Sequence, residues 1–240
     1  MRGLRNPNDP NVVMLELVAR RLGVQLCDQV AFVGGAIVGL LITDPANPPI
    51  RPTVDVDIVA EVLALGAYHT IEAALRKRGF TPDMRPDAPI CRWQVEGVTV
   101  DVMPSDERIL GFANRWYPGC VASVDIVELP SGTRMRVISA PMFVATKLEA
   151  FHGRGAGDYL LSHDLGDILG VVDGRESLVD ECRRAPAALR TYLADQFASL
   201  LRDRRFVDAL PGHLPGDPIG QSRLDDLEAK LQHVATLAKT

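Results

Sequence analysis

Residues 51–59 read Arg51-Pro-Thr-Val-Asp-Val-Asp-Ile-Val59. Val54, Val56 and Ile58 alternate with Asp55 and Asp57, and a period of two puts the apolar residues on one face of a β-strand and both aspartates on the other. Aspartate is a poor strand former, so two of them in otherwise strong β sequence need a reason. A lone Asp-x-Asp is most often the solvated face of an amphipathic strand, and by itself the pair carries no more than that.

A third carboxylate shifts the balance. Asp101 lies in Val98-Thr-Val-Asp-Val102, where alternation again sets it, with Thr99, on one face. If this strand pairs beside 51–59, three carboxylates converge, as a two-metal phosphoryl-transfer site requires. Mg²⁺ (or Mn²⁺) is a hard cation that takes oxygen ligands and substrate phosphates, and two such ions steady both the attacking and the leaving oxygen. Upstream, Gln29-Val-Ala-Phe-Val33 reads as a buried strand, Gly34-Gly35 follows, and Ala36 to Leu41 fits a helix. Glycines at a strand-to-helix turn let backbone N–H groups approach a triphosphate at a helix N-terminus. A tight turn explains the same pair equally well.

Outward from this centre, apolar spacing predicts an N-terminal helix over residues 11 to about 23 and another over Leu65 to Lys77, ended by Gly79. Ile90–Val95 and Val98–Val102 form a strand pair about a Glu96-Gly97 turn. Ser123–Glu128 and Arg134–Val137 form a second pair about Pro130-Ser-Gly132. Beyond Ser139, a fitting N-cap followed by Pro141, the chain reads as helical almost to its end. The expectation is an α+β protein with a mixed α/β domain over 1–139 and a helical domain over 140–240.

Composition limits the function classes. The 240 residues carry a net charge of −5, so no overall basic field holds nucleic acid. The four cysteines are widely spaced, without zinc-ligand pairing or the density of a disulfide scaffold. The opening MRGLRNPNDPNVV lacks the apolar core of a signal peptide, and no apolar run is long enough for a membrane span. A cytoplasmic protein without a membrane partner is expected.

In the helical half, Phe143, Val144, Leu148 and Phe151 form an apolar stripe with Lys147 inside it. Lys147 is either a cation directed at phosphates or a side chain that snorkels to the rim. In the next helix, advancing about 100° per residue, Asp164 falls at the border of the buried arc. Asp167 falls roughly 60° further out by the same count, as a surface charge or a partner of the site residue. Asp164 is thus preferred over Asp167. Arg154, in His152-Gly-Arg-Gly-Ala-Gly157, reads as a loop arginine before it reads as a phosphate ligand. Arg183, Arg184, Arg190, Arg202, Arg204 and Arg205 read first as solvated helix faces, and otherwise as the local clusters able to steer RNA.

The order Gly34-Gly35, Arg51-x-Thr53-x-Asp55-x-Asp57-Ile58, Asp101, Lys147-Leu-Glu-Ala150 with Arg154, and His163-Asp164-x-x-Asp167 resembles the AbiEii-type nucleotidyltransferases of the polymerase-β superfamily, toxins of bacterial toxin–antitoxin systems. The resemblance spans roughly residues 29 to 172. It implies a nucleotidyltransferase palm with a mixed sheet followed by a helical bundle, an NTP donor and Mg²⁺. Gly34, Gly35, Arg51, Thr53 and Lys147 would then meet the nucleotide, Asp55, Asp57 and Asp101 the metals, and Lys147 and Asp164 would match downstream family positions. It also implies an RNA or tRNA acceptor and a cognate antitoxin. The chain departs from the pattern in a proline-rich insertion between Gly35 and Asp55 and in His163 where lysine is common. Other readings are a transferase acting on a protein or an aminoglycoside-like small molecule, and a non-catalytic nucleotide-binding or partner-docking protein.

Overall fold

The computed structural model describes residues 6–62, 64–111, 114–154 and 157–239. The chain is α+β and divides into two compact units. One comprises Met1–Leu40 and Ile50–Ser139, the other Leu41–Pro49 and Ala140–Thr240. The main change of character thus falls at 139/140, while the proline-rich insertion belongs with the helical unit.

The first unit is built on a mixed seven-stranded sheet: β1 (Val30–Val33), β2 (Asp55–Ala60), β3 (Thr81–Pro82), β4 (Arg92–Val95), β5 (Val98–Pro104), β6 (Val124–Glu128) and β7 (Arg134–Ile138), in the order β3-β4-β5-β2-β1-β7-β6. β2 runs parallel to β5 and β1 parallel to β7, and the remaining neighbours are antiparallel. Helices α1 (Pro10–Cys27), α2 (Val38–Leu41), α3 (Leu65–Lys77), α4 (Glu107–Leu110) and α5 (Tyr117–Cys120) complete the β-containing half of the chain. α1 packs on β1, β2, β5 and β7 through Leu15, Val18, Ala19 and Leu22, all fully buried. α3 is tied to the sheet by the Tyr68 hydroxyl, which donates to the Val102 carbonyl at 2.8 Å, and by the Arg76 guanidinium 5.0 Å from the Trp93 ring centre.

Local sequence explains these elements. Glu96 and Gly97 both take positive φ, 47° and 81°, the turn geometry whose twist matches a two-residue hairpin. That turn fixes the register, pairing Val95 with Val98, Gln94 with Thr99, Trp93 with Val100 and Arg92 with Asp101. Two expectations are corrected here. The run Ala36–Leu41 is not one helix but a 3₁₀ turn over Gly35–Ile37 leading into the single turn of α2. Such a short element carries little macrodipole. Val54 is not a core residue of the strand: it is 86% exposed because sheet pairing starts at Asp55, opposite Thr99.

The second unit contains α6 (Ala140–Arg154), α7 (His163–Gly174), α8 (Leu178–Arg184), α9 (Ala187–Arg202), α10 (Arg204–Ala209), α11 (Pro218–Gln221) and α12 (Leu224–Ala235). α6 packs on α7, α8 and α9, and α12 on α7, α8 and α9, around Phe143, Leu148, Phe151, Ile168, Leu193, Phe197 and Leu231. The segment Leu41–Pro49 is strapped into this unit. The amides of Thr43 and Asp44 both donate to the Gly174 carbonyl, at 2.8 and 2.9 Å, and the buried Arg175 donates to the Leu41 carbonyl at 2.6 Å. Arg223 bridges Asp44 (2.6 Å) and the buried Asp173 (2.8 Å). No helix among the described residues is long and apolar enough to cross a membrane.

Candidate functional site

Parallel pairing of β2 with β5 sets Asp57 opposite Asp101 and Asp55 opposite Thr99. Val56, Ile58, Val100 and Val102 are fully buried, so the aspartates that alternate with them share the other face of the sheet. Asp55, Asp57 and Asp101 each offer a carboxylate oxygen within 4.8 Å of the others. This all-oxygen donor set, from two adjacent strands, fits a hard divalent cation such as Mg²⁺ or Mn²⁺. Three carboxylates so close repel one another, which makes a cation at this place favourable.

Gly34 supports the site through its backbone. Its φ of 73° and ψ of −168° lie in a region open essentially to glycine. A β-carbon there would lie 1.9 Å from Asp57 Oδ2, so the carboxylate rests on the glycine backbone. Gly35 opens the 3₁₀ turn that follows. Arg51 and Thr53 lie just before β2, where Asn11 clamps them: its amide donates to the Arg51 carbonyl at 3.1 Å, and its oxygen accepts from the Thr53 amide at 2.9 Å. The Thr53 hydroxyl donates to the Asp55 carbonyl at 3.1 Å, which fixes the entry to the strand. The Arg51 side chain is exposed.

Arg92, which strand alternation does not single out, also belongs to the site. Its Nε donates to Asp101 Oδ1 at 2.8 Å and its Nη2 to Oδ2 at 2.7 Å, a bidentate pair, and Nη2 stands 4.0 Å from Asp55 Oδ2. These bonds hold its pKa above the ordinary arginine value in spite of partial burial. The signal was present in the two-residue turn, since its register sets Arg92 directly across from Asp101. Asn11 is buried and reaches its partners across the sequence, so no local pattern marks it.

The chain matches no protein-family model and no curated protein.

The helical unit holds its own charged cluster. Lys147, buried on α6, donates to Asp164 Oδ1 at 3.0 Å and to Asp167 Oδ2 at 2.7 Å. Arg154 closes on Asp164 with two bonds of 2.8 and 2.9 Å, while Gly155 and Ala156 of the glycine-rich connection lie outside the described residues. Lys147 therefore does not snorkel to the rim. Burial alone would lower its pKa, but the charges of Asp167 and Asp164 outweigh that and raise it. Burial likewise opposes ionisation of Asp164, and the bonds from Arg154 and Lys147 overcome it to hold its pKa below the usual carboxylate value. The surface position considered for Asp167 is corrected: it is 8% exposed and, with Asp164, shares the Lys147 ammonium group. The remaining arginines of the half, Arg183, Arg184, Arg202, Arg204 and Arg205, are exposed and Arg190 half-buried, in line with solvated helix faces.

Proposed function

We propose that this chain is a metal-dependent nucleotidyltransferase, its sheet unit serving as the palm and its helical unit as a C-terminal bundle. The observation that carries the reading is the convergence of Asp55, Asp57 and Asp101 within 4.8 Å from adjacent strands, with Gly34 backing Asp57. The three carboxylates gather negative charge on one face of the sheet, which a divalent cation would offset together with Arg92. Asp55, Asp57 and Asp101 would hold divalent cations, and Gly34 and Gly35 would bring backbone N–H groups to the triphosphate. When bound, the cations neutralise the phosphates and favour ionisation of the acceptor hydroxyl.

Asp101 takes the proton of that hydroxyl as its oxygen bonds to the α-phosphorus of the NTP. The bond from the α-phosphorus to the bridging oxygen breaks, and pyrophosphate leaves. Arg51 and Thr53, beside β2, are assigned to the nucleotide. Resemblance adds Lys147 and Asp164, and an ammonium group held by two aspartates, one of them held in turn by Arg154, is what a preorganised cation or its support requires. The same resemblance carries the acceptor, RNA and in particular a tRNA end, and the role of toxin opposed by an antitoxin.

The test incubates the purified protein with Mg²⁺, each radiolabelled NTP in turn and total cellular RNA or protein, beside Asp57→Ala. Label on RNA from the unmutated protein alone supports the reading in full. Label on protein instead keeps the transferase and reassigns its acceptor. No transfer with any NTP, together with no Mg²⁺-dependent NTP binding, overturns it.

A further inference from the structure

The bidentate pair between Arg92 and Asp101 is not needed for the transfer chemistry, and it stands in its way. Both Asp101 oxygens are engaged by one guanidinium, which also lies 4.0 Å from Asp55. A guanidinium stays charged at any pH at which the protein is folded, so no proton loss releases it. One permanent cation therefore occupies the carboxylate that a divalent ion needs. The Arg92 side chain is a quarter exposed, so it has an open direction in which to withdraw.

Building on the metal-site reading above, we infer that Arg92 is a positioning residue that competes with the divalent cation for Asp101, so that the site resists bare metal and accepts a metal–nucleoside triphosphate. Without a cation, Arg92 offsets the mutual repulsion of the carboxylates and keeps Asp101 aligned on β5. For Asp101 to serve a metal it must give up two charge-assisted bonds, which bare metal does nothing to replace. A triphosphate arriving with the cation offers the freed guanidinium a new anionic partner, since planar, forked donors match phosphate oxygens as they match a carboxylate. Metal and nucleotide binding are then coupled through one side chain, and the coupling is reciprocal.

Paramagnetic resonance of free Mn²⁺ measures this directly on the full chain, unmutated and as Arg92→Gln and Arg92→Lys, with and without a non-hydrolysable α,β-methylene NTP. Arg92→Gln should bind bare Mn²⁺ on the order of tenfold or more tighter than the unmutated protein, since a unit positive charge has left the site. The gain in Mn²⁺ affinity on adding the analogue should shrink in that variant. Arg92→Lys, which keeps the charge but not the fork, should fall between the two. A residue that merely supported the fold would weaken metal binding when replaced. Bare-metal affinity in Arg92→Gln equal to or below that of the unmutated protein therefore overturns the competition while leaving the metal site standing. Absence of Mn²⁺ binding in all three proteins, with and without the analogue, removes the metal reading and this inference together.

Discussion

The Asp57 carboxylate lies where a side chain at position 34 would have to be: a β-carbon on Gly34 would fall 1.9 Å from Asp57 Oδ2 and 2.8 Å from Asp57 Cβ. Gly34→Ala should therefore displace Asp57 as well as strain the backbone at a φ of 73°. We expect a loss of about 1–3 kcal/mol from the backbone conformation alone, read from urea unfolding, together with weakened Mn²⁺ binding. A Gly34→Ala protein with unchanged unfolding midpoint and Mn²⁺ affinity would show that the contact has no bearing on the site.

Lys147 joins two buried aspartates, so its removal leaves like charges facing each other. Lys147→Met should cost about 3–5 kcal/mol at neutral pH, because it strands charge out of water. The pH dependence should also change. In the unmutated protein the depressed Asp164 contributes stability that is complete above about pH 4 and lost as pH falls through its folded pKa. The raised Lys147 contributes stability complete below about pH 10 and lost as pH rises through its folded pKa. Without Lys147, the buried Asp164 keeps only Arg154 against the cost of its charge, so the variant should become more stable from pH 7 to pH 5 as that carboxyl takes up protons. Urea midpoints at pH 5, 7 and 9 measure this, and a variant midpoint that falls over the same interval would contradict it.

Arg223 holds the Leu41–Pro49 strap by joining Asp44 to Asp173, whose side chain is 6% exposed. Arg223→Met should cost about 3 kcal/mol, as breaking a buried ion pair does. Arg204→Met, at a guanidinium 92% exposed and 3.6 Å from Asp208, should stay within about 0.5 kcal/mol. Thermal or urea unfolding of the two variants side by side tests the contrast, and equal effects would count against the strap.

All four thiols are buried and reduced. Burial pushes Cys27 up to about 11 and Cys91, Cys120 and Cys182 up to about 12, so almost no thiolate exists at neutral pH. An aromatic disulfide reagent should leave the native protein unlabelled at pH 7.5 and titrate four thiols in denaturant. Fast labelling of any of them in the native state would contradict this packing.

What was legible in the sequence is what depends on near neighbours. Alternation alone identified β2 and β5, and helical spacing gave α3 its observed ends, Leu65 and Lys77. The register of β4 on β5 also follows from the two-residue turn at Glu96-Gly97, whose pairing sets Arg92 across from Asp101, whereas alternation within either strand does not link the two. Of the two positions open to Asp167, the surface one fails because a helical arc drawn from apolar residues alone ignores a buried lysine, which extends the inward face by ion pairing, while the partner position is compatible with its bond to Lys147. Asn11 and the strap were out of reach altogether, since their partners lie 40 or more residues away.

The strap gives the chain an unusual itinerary: it passes between the two units at 40/41, again at 49/50 and a third time at 139/140. A protease that cuts at the last of these places frees no domain. The N-terminal fragment keeps Leu41–Pro49 pinned by Gly174, Arg175 and Arg223 of the C-terminal fragment, so the nicked halves should migrate together until denatured. Nor can the helical half be expressed faithfully from residue 140 onward, because nine residues of its own packing are encoded nearly a hundred positions earlier, between the Gly34-Gly35 turn and the aspartate strand.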